Sequence, residues 1–319
     1  MILQRWLPAL SQMAGKGAAL VPQLINQGFK RIFGLKMERR YGRFSIVLPA
    51  DHLLPVYQLL HKRYDRFLPH LARYLAPDCT VIDVGANCGD TLAAMFDANP
   101  RLNYVCIEAD EGFFGFMQRN AARIKAVDAQ ASIRLIKALI GEQVKSASLD
   151  GSGGSKHSTT GTELTEGVAT LASITLDAVA VQSGLVNVEL VKSDVDGFDY
   201  DVIDSGRNLL ERQAPLLFFE CDFRDQRQLT GYVRTIRRLH DMGYRHWTIF
   251  DNFGDVVASS TDSNVVTDMI GYVDRQHAGC STRTVHYLDV LAGTYRHAAL
   301  MAAAVGDYSR IAAPGKQPA

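Results

Sequence analysis

The chain has 319 residues, of which 47% are hydrophobic and 21% are charged, and its 34 Lys and Arg residues balance 34 Asp and Glu residues. This composition is that of a globular protein, and it excludes wholesale disorder and collagen-like sequence. A net charge of +0 lacks the cation surplus on which nucleic-acid binding depends, so we expect no nucleic-acid partner. The length suits one large α/β domain with extensions, or two small domains.

The spacing of the cysteines and the hydropathy of the chain indicate its cellular location. The five cysteines are widely spaced and include no Cys-x-x-Cys pair; they are Cys79, Cys88, Cys106, Cys221 and Cys280. We expect buried, reduced thiols in a cytoplasmic protein. No stretch approaches the roughly 20 apolar residues of a membrane span, so no transmembrane segment is expected. Residues 3–16 can form an amphipathic helix that docks on the protein itself, on a second subunit or on a membrane surface, which leaves a homo-oligomer open.

The pattern along the chain predicts an α/β fold. A strand at residues 44–48 and a helical lead-in at 53–75 precede the main run, in which short apolar segments alternate with helical periodicity. That alternation is typical of a doubly wound, mostly parallel sheet with helices on both faces. The predicted strands are residues 79–84, 103–107, 132–138, 188–193, 216–220 and 245–250, with a late antiparallel strand at 285–291. The predicted helices are residues 89–98, 113–124 and 176–181, one that runs from 197 and ends before Pro215, and one at 229–242. Residues 259–280 look irregular.

The Gly-, Ser- and Thr-rich residues 150–167 predict a mobile loop or an irregular hairpin. His157 in this segment is either a base carried by a lid or a solvated loop histidine.

The exits of the first three strands predict the cofactor, because ligands of doubly wound sheets bind beyond the carboxyl ends of the strands. The first strand leads into Asp83-Val-Gly85-Ala86-Asn87-Cys-Gly89, which is neither a Gly-x-Gly-x-x-Gly fingerprint nor a phosphate-binding loop. Asp83 suits a cationic ligand. Glu108 ends the second strand and can bind ribose hydroxyls, and Ala138 ends the third as a small exit beside a flat base. Together they indicate S-adenosylmethionine.

The fourth and fifth strands end in acids. Lys192-Ser-Asp194-Val-Asp196 leaves the fourth strand, and Glu220 and Asp222 leave the fifth. Methyl transfer is an in-line displacement, so the protein aligns the nucleophile and removes its proton. We assign catalytic roles to Asp194, Asp196 and Lys192. A divalent cation stays open, with Asp194, Glu220 and Asp222 as its candidate ligands. Another interpretation has Asp196 cap the next helix or contact adenosine.

Four segments in the same order resemble the FkbM-type methyltransferases: residues 81–89, 107–110, 173–177 and 190–198, continuing through 201–206 to Pro215 and Glu220. The resemblance covers roughly residues 60–222. It implies a class I methyltransferase, Rossmann-like fold and transfer of methyl to oxygen, often to a hydroxyl of a sugar, glycan or polyketide. By position, Asp83, Gly85, Asn87 and Gly89 resemble the family's methionine-tail loop, Glu108 its ribose acid and Asp194 its active-side acid. Asp196 stands where the family usually has Glu, and Cys88 replaces a more usual aliphatic residue.

We therefore expect an N-terminal lead-in at residues 1–77, a methyltransferase domain at 78–295 and a C-terminal tail at 296–319. The expected activity is S-adenosylmethionine-dependent methylation of an uncharged hydroxyl on a small-molecule or glycan acceptor, with residues 150–167 closing over it. The alternative is a non-catalytic S-adenosylmethionine-binding or scaffold module with the same fold. A nicotinamide-dependent oxidoreductase is disfavoured by the missing third glycine. A nucleic-acid methyltransferase is disfavoured by the charge balance and by the lack of an Asn-Pro-Pro-Tyr type motif.

Overall fold

The computed structural model describes residues 37–142, 146–150, 157–159, 171–279 and 284–311. The predicted amphipathic helix at 3–16, most of the predicted loop at 150–167, Cys280 and residues 312–319 lie outside the described residues. The other four cysteines are free and buried, as expected.

The described strands are, in chain order, β1 (Met37–Tyr41), β2 (Phe44–Leu48), β3 (Thr80–Val84), β4 (Asn103–Glu108), β5 (Ile133–Lys137), β6 (Leu139–Ile140), β7 (Ser146–Asp150), β8 (His157–Thr159), β9 (Leu171–Ile174), β10 (Val188–Ser193), β11 (Leu216–Cys221), β12 (Tyr244–Asp251), β13 (Val256–Ser260) and β14 (Leu288–Thr294). The helices are α1 (Leu54–Leu60), α2 (Phe67–Ala72), α3 (Asp90–Ala98), α4 (Glu111–Val127), α5 (Leu176–Gln182), α6 (Asp199–Asp204), α7 (Arg207–Gln213), α8 (Gln226–Asp241), α9 (Asn264–Gly279) and α10 (Ala298–Arg310).

Eight strands form the central sheet, in the order β13-β12-β14-β11-β10-β3-β4-β5. The five from β11 to β5 are parallel to one another, whereas β14 runs antiparallel to both β11 and β12. All five residues of β3 are buried because helices cover both faces of the sheet. The predicted class I, Rossmann-like fold with an antiparallel late strand is confirmed.

Two apolar layers enclose this sheet. On one face, α2, α3, α4 and α10 contribute buried residues that include Phe67, Phe96, Ile124 and Tyr308. On the other face, α5 to α9 contribute Leu176, Val202, Leu209, Ile236 and Ile270. Residues 298–310, within the predicted tail, thus form a helix that packs in the core.

Three predicted elements differ from the structure. The helix predicted from residue 197 is two helices, α6 and α7, which meet where Gly206 lies so close to Leu176 that a Cβ would be 2.8 Å from a side-chain carbon. The irregular stretch at 259–280 contains α9, whose Val266, Ile270 and Val273 are buried at helical spacing. The lead-in is also split, into α1 and α2. In addition, β1 and β13 escaped the sequence pattern because both are short outer strands with alternating exposure.

A buried side chain of α4 joins the β1–β2 hairpin to the loop that follows β3. Asn120 of α4 accepts a hydrogen bond from the Val47 N–H at 2.8 Å and donates to the Val47 carbonyl at 2.9 Å. Its amide also donates to the Cys88 carbonyl at 2.7 Å. The hairpin is therefore held against the loop that follows β3.

Candidate active site

The loop that follows β3, residues 85–89, has a backbone shape that requires glycine. Gly85, Asn87 and Gly89 all adopt positive φ angles, of 74°, 51° and 78°. A Cβ on Gly85 would lie 1.9 Å from the Asp194 carbonyl oxygen. The N–H groups of Gly85 and Ala86 both donate to the Ile107 carbonyl at 3.0 Å, which joins the loop to β4. We call residues 85–89 the cofactor loop.

Glu108, at the end of β4, is held by backbone groups on both sides. Its Oε2 accepts from the Asn87 N–H at 2.8 Å, and its Oε1 accepts from the Asp110 N–H at 2.7 Å. Burial raises the pKa of Glu108, and these hydrogen bonds oppose the rise. Since each carboxylate oxygen has a second lone pair, Glu108 can still accept hydrogen bonds from ribose hydroxyls. The Ala138 N–H donates to the Glu108 carbonyl at 3.2 Å, so the predicted base-side residue is its neighbour.

Lys192 and Asp83 form a buried ion pair under the cofactor loop. Lys192 Nζ lies 3.0 Å from Asp83 Oδ1 and 3.5 Å from Asp194 Oδ2, and it donates to the Gly85 carbonyl at 3.0 Å. Burial lowers the pKa of Lys192, but the charges of Asp83 and then of Asp194 raise it by more than burial lowers it. The amine is therefore charged. Burial raises the pKa of Asp83, and Lys192 opposes that rise. Lys192 thus pairs with Asp83 and with Asp194.

The second oxygen of Asp83 fits a cationic ligand. Asp83 is 1% exposed, and its Oδ2 accepts no hydrogen bond from any residue that the structure describes. A buried acceptor without a donor is costly unless a ligand satisfies it, and an ammonium group does so. Together with the glycine backbone of the cofactor loop and the fixed Glu108, this carboxylate fits S-adenosylmethionine.

A row of three carboxylates crosses the sheet beside the cofactor loop. Asp194 follows β10 directly, and the register of β10 with β3 and β11 sets it beside Gly85 and Glu220. Glu220 in turn is opposite Asp289 of β14. We call Asp194, Glu220 and Asp289 the acidic row. Burial raises the pKa of both Glu220 and Asp289 well above the usual range, and the charge of Asp194 raises them further. The side chain of Asp194 is 53% exposed.

A fourth carboxylate of the site, Asp65, lies in the segment between α1 and α2. Asp65 has a φ of 53° and lines a pocket, partly open to solvent, together with Asp90, Phe218 and Asp289. Burial by the surrounding protein, then the charges of Asp90 and Asp194, raise the pKa of Asp65 to about 7. Asp65 is therefore a weaker acid than a fully solvated aspartate.

Sequence reasoning missed Asp65 and Asp289. The only signal for Asp289 was an acid inside the apolar run of a predicted strand, and that signal does not identify the partner strand. Asp65 lies in a lead-in that showed no motif. Both residues join the site through tertiary contacts alone.

Asp196 lies in the turn between β10 and α6. It has a φ of 51°, and burial, then the charges of Asp194, Asp199 and Asp222, raise its pKa to about 8. The N-cap residue of α6 is Phe198, not Asp196.

The turn after β10 is organised by Asp199, which received no role from the sequence. Its carboxylate is fully buried and accepts hydrogen bonds from Ser193 Oγ at 2.6 Å, the Val195 N–H at 3.2 Å and the Tyr232 hydroxyl at 3.2 Å.

The predicted cation ligands do not converge. Among the described residues, Asp194, Glu220 and Asp222 do not bring three carboxylate oxygens within 4.8 Å of one another, whereas His52, Cys88 and Asp90 bring together one potential donor each. In that second group His52 Nδ1 accepts a hydrogen bond from the Leu54 N–H, and the Cys88 thiol donates to Asp90. These bonds place the imidazole proton on Nε2 and keep the thiol protonated, so this arrangement leaves no metal-ready ligand set.

Comparison with known proteins identifies the family. The model of the methyltransferase FkbM domain matches residues 83–246, which is half of the chain. The chain belongs to the FkbM methyltransferase family. The resemblance carried by the cofactor loop, Glu108 and the β10 exit is thus confirmed, and with it a methyltransferase that depends on S-adenosylmethionine. No curated protein matches the chain.

Several solved methyltransferase structures are similar to this FkbM-family chain. A methyltransferase FkbM from Methylobacillus flagellatus KT has 15% identity over 57% of this chain and 52% of its own, with a TM-score of 0.36. A human methyltransferase 10 domain containing protein has 12% identity over 85% and 94%, with a TM-score of 0.42. A precorrin-6y C5,15-methyltransferase from Geobacter metallireducens GS-15 has 12% identity over 72% and 86%, with a TM-score of 0.35.

A helix that crosses a lipid bilayer must be both long and apolar. None of the helices in the described ranges combines the length and the apolar character that membrane crossing requires.

Proposed function

We propose that this FkbM-family protein is an S-adenosylmethionine-dependent O-methyltransferase that methylates a hydroxyl of a sugar, glycan or secondary metabolite. The observation that carries the proposal is the acidic row directly beside the cofactor loop, where the Asp194 carbonyl contacts Gly85. A hydroxyl must lose its proton when it is methylated, and carboxylates at this position can accept hydrogen bonds from it and take the proton.

The cofactor-binding residues of the proposal are those predicted from the strand ends. Asp83 binds the ammonium group, Glu108 binds the ribose hydroxyls, and Ala138 lies beside the base. Gly85, Ala86, Asn87 and Gly89 form the turn against which the methionine tail packs. When bound, S-adenosylmethionine supplies a methyl group on a positively charged sulfur.

The residues on the acceptor side differ in role. Asp194 is exposed and orients the acceptor hydroxyl. Asp65, with its pKa of about 7, is suited to accept the proton of that hydroxyl. Asp196, with its pKa of about 8, holds a proton at neutral pH and supports this side of the site as a hydrogen-bond donor. Lys192 is a positioning residue, because its ammonium joins Asp83, Gly85 and Asp194 and is itself buried. The proposed enzyme is cytoplasmic and needs no nucleic-acid partner.

Calorimetry tests the cofactor part of the proposal. Titration of the full chain with S-adenosylhomocysteine is expected to show one site, and Asp83→Ala and Glu108→Ala are each expected to weaken it roughly tenfold or more. Asp128→Ala, which removes a carboxylate 3.7 Å from the surface residue Arg43, is the matched control. Absence of binding at millimolar ligand, or unchanged affinity in both variants, would overturn the assignment.

A transfer assay tests the chemistry. Labelled donor is incubated with glycan pools and hydroxylated-metabolite pools, with and without a chelator, and base-stable labelled ethers are the expected products. Asp194→Asn is expected to lower kcat by roughly 100-fold or more while the S-adenosylhomocysteine affinity stays unchanged. Intact cofactor binding without turnover on any pool would favour the non-catalytic binding module, and loss of activity on chelation would require a cation.

A further inference from the structure

The pocket that contains Asp65 and Asp289 is also lined by basic side chains. It is partly open to solvent, and Arg39, Arg63 and Arg66 line it together with the acids and the rings of Phe218 and Phe250. These arginines come from β1 and from the segment before α2, outside the residues that the family model matches.

One of the three arginines is committed to the fold. Arg63 donates to the carbonyls of Tyr308, Ser309 and Ile311 at the end of α10, at 3.1, 3.2 and 2.7 Å. It also forms an ion pair with Asp255 at 3.2 Å. Its guanidinium is therefore occupied, which leaves Arg39 and Arg66 as the cations available to a ligand.

Arg39 is braced in position by neutral groups. It occupies an inward position of β1, between the inward Met37 and Tyr41. Its guanidinium donates to Gln58 Oε1 and lies 5.3 Å from the centre of the Tyr41 ring. Gln58 is in turn fixed because its amide donates to the Tyr64 carbonyl at 3.0 Å. No carboxylate in the described ranges forms an ion pair with Arg39.

Arg66 lies near Arg39 and likewise has no ion-pair partner in the part of the chain that the structure describes. Burial, and then the positive charge of Arg39, lower the pKa of Arg66. Asp65 attracts both guanidinium groups but forms an ion pair with neither, so two cations that repel each other can still bind an anion between them. Arginine is also the side chain best suited to carboxylate and phosphate groups.

We propose that this pocket is the acceptor site and that it selects a hydroxylated acceptor with one carboxylate or phosphate group, which Arg39 and Arg66 bind while a hydroxyl of the same molecule faces Asp65 and Asp289. Asp90 and Thr91 continue directly from the cofactor loop into the same pocket, which joins the acceptor site to the methyl donor. The inference rests on the proposed function for the identity of the ligand. It also revises the uncharged acceptor expected from the acids alone.

A binding experiment tests the anion site without turnover. The full chain, saturated with S-adenosylhomocysteine, is titrated with inorganic phosphate and with acetate at constant ionic strength. We expect binding of one phosphate per chain, weakened roughly tenfold or more by Arg39→Gln and by Arg66→Gln. Arg40→Gln, which removes an exposed cation from the opposite face of the same strand, is the matched control and is expected to bind phosphate like the wild type. Absence of wild-type binding to both anions, or equal affinity in the three variants, would overturn the inference.

The transfer assay then separates this inference from the proposed function. Labelled products are passed over an anion exchanger at neutral pH, where methylated acceptors are expected to be retained, and Arg39→Gln is expected to raise KM more than it lowers kcat. Neutral labelled products would overturn the inference and leave the methyltransferase activity standing. Arginine-dependent phosphate binding without any labelled product would overturn the proposed activity and leave the anion site standing.

Discussion

Lys192 connects the two halves of the candidate site through a single ammonium group. It binds Asp83 and Gly85 on the cofactor side and Asp194 on the acceptor side. A charge in this position is stable only because carboxylates surround it, since burial by itself opposes ionisation. The same contacts make Asp83 tolerable inside the sheet.

We predict that Lys192→Met destabilises the protein by about 3 to 5 kcal/mol at pH 7, because it leaves Asp83 as a buried, unpaired carboxylate. The double variant Lys192→Met/Asp83→Asn is expected to recover part of that loss. Urea unfolding of the wild type, both single variants and the double variant measures the coupling. Additive effects would contradict a direct ion pair.

Gly85 is required for two reasons, its backbone angle and its contact with Asp194. We predict that Gly85→Ala destabilises the protein far more than Gly184→Ala and also abolishes S-adenosylhomocysteine binding. Gly184 has a φ of 58° with open space around it, so alanine there costs only the roughly 1 kcal/mol of the left-handed backbone. Urea unfolding and calorimetry on both variants measure the difference, and equal losses would contradict the close approach to Asp194.

From the raised pKa of Asp65 we predict how the reaction rate depends on pH. A carboxyl with a pKa of about 7 is protonated at pH 5.5 and cannot accept a proton there, so kcat/KM is expected to rise with pH through about 7. Asp65→Asn is expected to remove this rise together with most of the activity. A wild-type profile that is flat between pH 5.5 and 8.5, or a variant that keeps the rise, would exclude Asp65 as the base.

At the scale of elements, the hairpin of β1 and β2 carries Arg39 to the pocket and is fastened by Asn120 of α4. One buried amide reaches both the hairpin and the cofactor loop. The position of the hairpin and the shape of the cofactor loop are therefore linked.

We predict that Asn120→Ala destabilises the protein by about 2 to 3 kcal/mol and weakens binding of both S-adenosylhomocysteine and phosphate. Asn99→Ala is the matched control, because Asn99 donates to the carbonyls of Ala72 and Leu75, at 2.9 and 3.3 Å, away from the cofactor loop. It is expected to lower stability while both affinities stay unchanged. Urea unfolding and calorimetry measure the two effects, and equal affinities in the two variants would contradict the link.

Elements differ in how far the chain pattern predicts them. The strands β3, β4 and β10 were predicted to within one residue, because each contains a short apolar segment that both helical layers cover. α9 was missed although Val266, Ile270 and Val273 have helical spacing, since polar residues separate them. Outer strands such as β13 are half exposed, and their pattern is not distinct from that of a loop.

At the scale of the whole molecule, acidic and basic residues are equal in number, but burial raises the pKa of several of the acids. Asp199 is fully buried, and burial raises its pKa to about 7, against hydrogen bonds from Ser193 and Tyr232. The unfolded carboxyl ionises near pH 4, so between about pH 4 and 7 the folded state holds a proton that the unfolded state has released. Stability is therefore lost as pH rises through this window, by about 1.4 kcal/mol for each pKa unit.

We predict that Asp199→Asn flattens the decline in the free energy of unfolding between pH 4.5 and 7.5. The variant removes the titrating carboxyl, while the amide oxygen can still accept one of its hydrogen bonds. Urea unfolding at four pH values in that range measures the two slopes. Parallel slopes for wild type and variant would show that Asp199 does not titrate in this window.

The chain by itself determined the fold class and the cofactor side of the site. The cofactor loop and Glu108 belong to short segments at strand ends, where the spacing of glycines and acids within about 30 residues carries the chemistry. The acceptor side was decided only by tertiary structure. Asp65, Asp289 and Arg39 come from distant parts of the chain, and their meeting depends on β14 pairing antiparallel to β11 and on Asn120 holding the hairpin. Periodicity reports which face of an element is buried, but it holds no record of which distant strand lies beside it. The charge balance of the sequence did not show that arginines and aspartates from distant segments line one pocket.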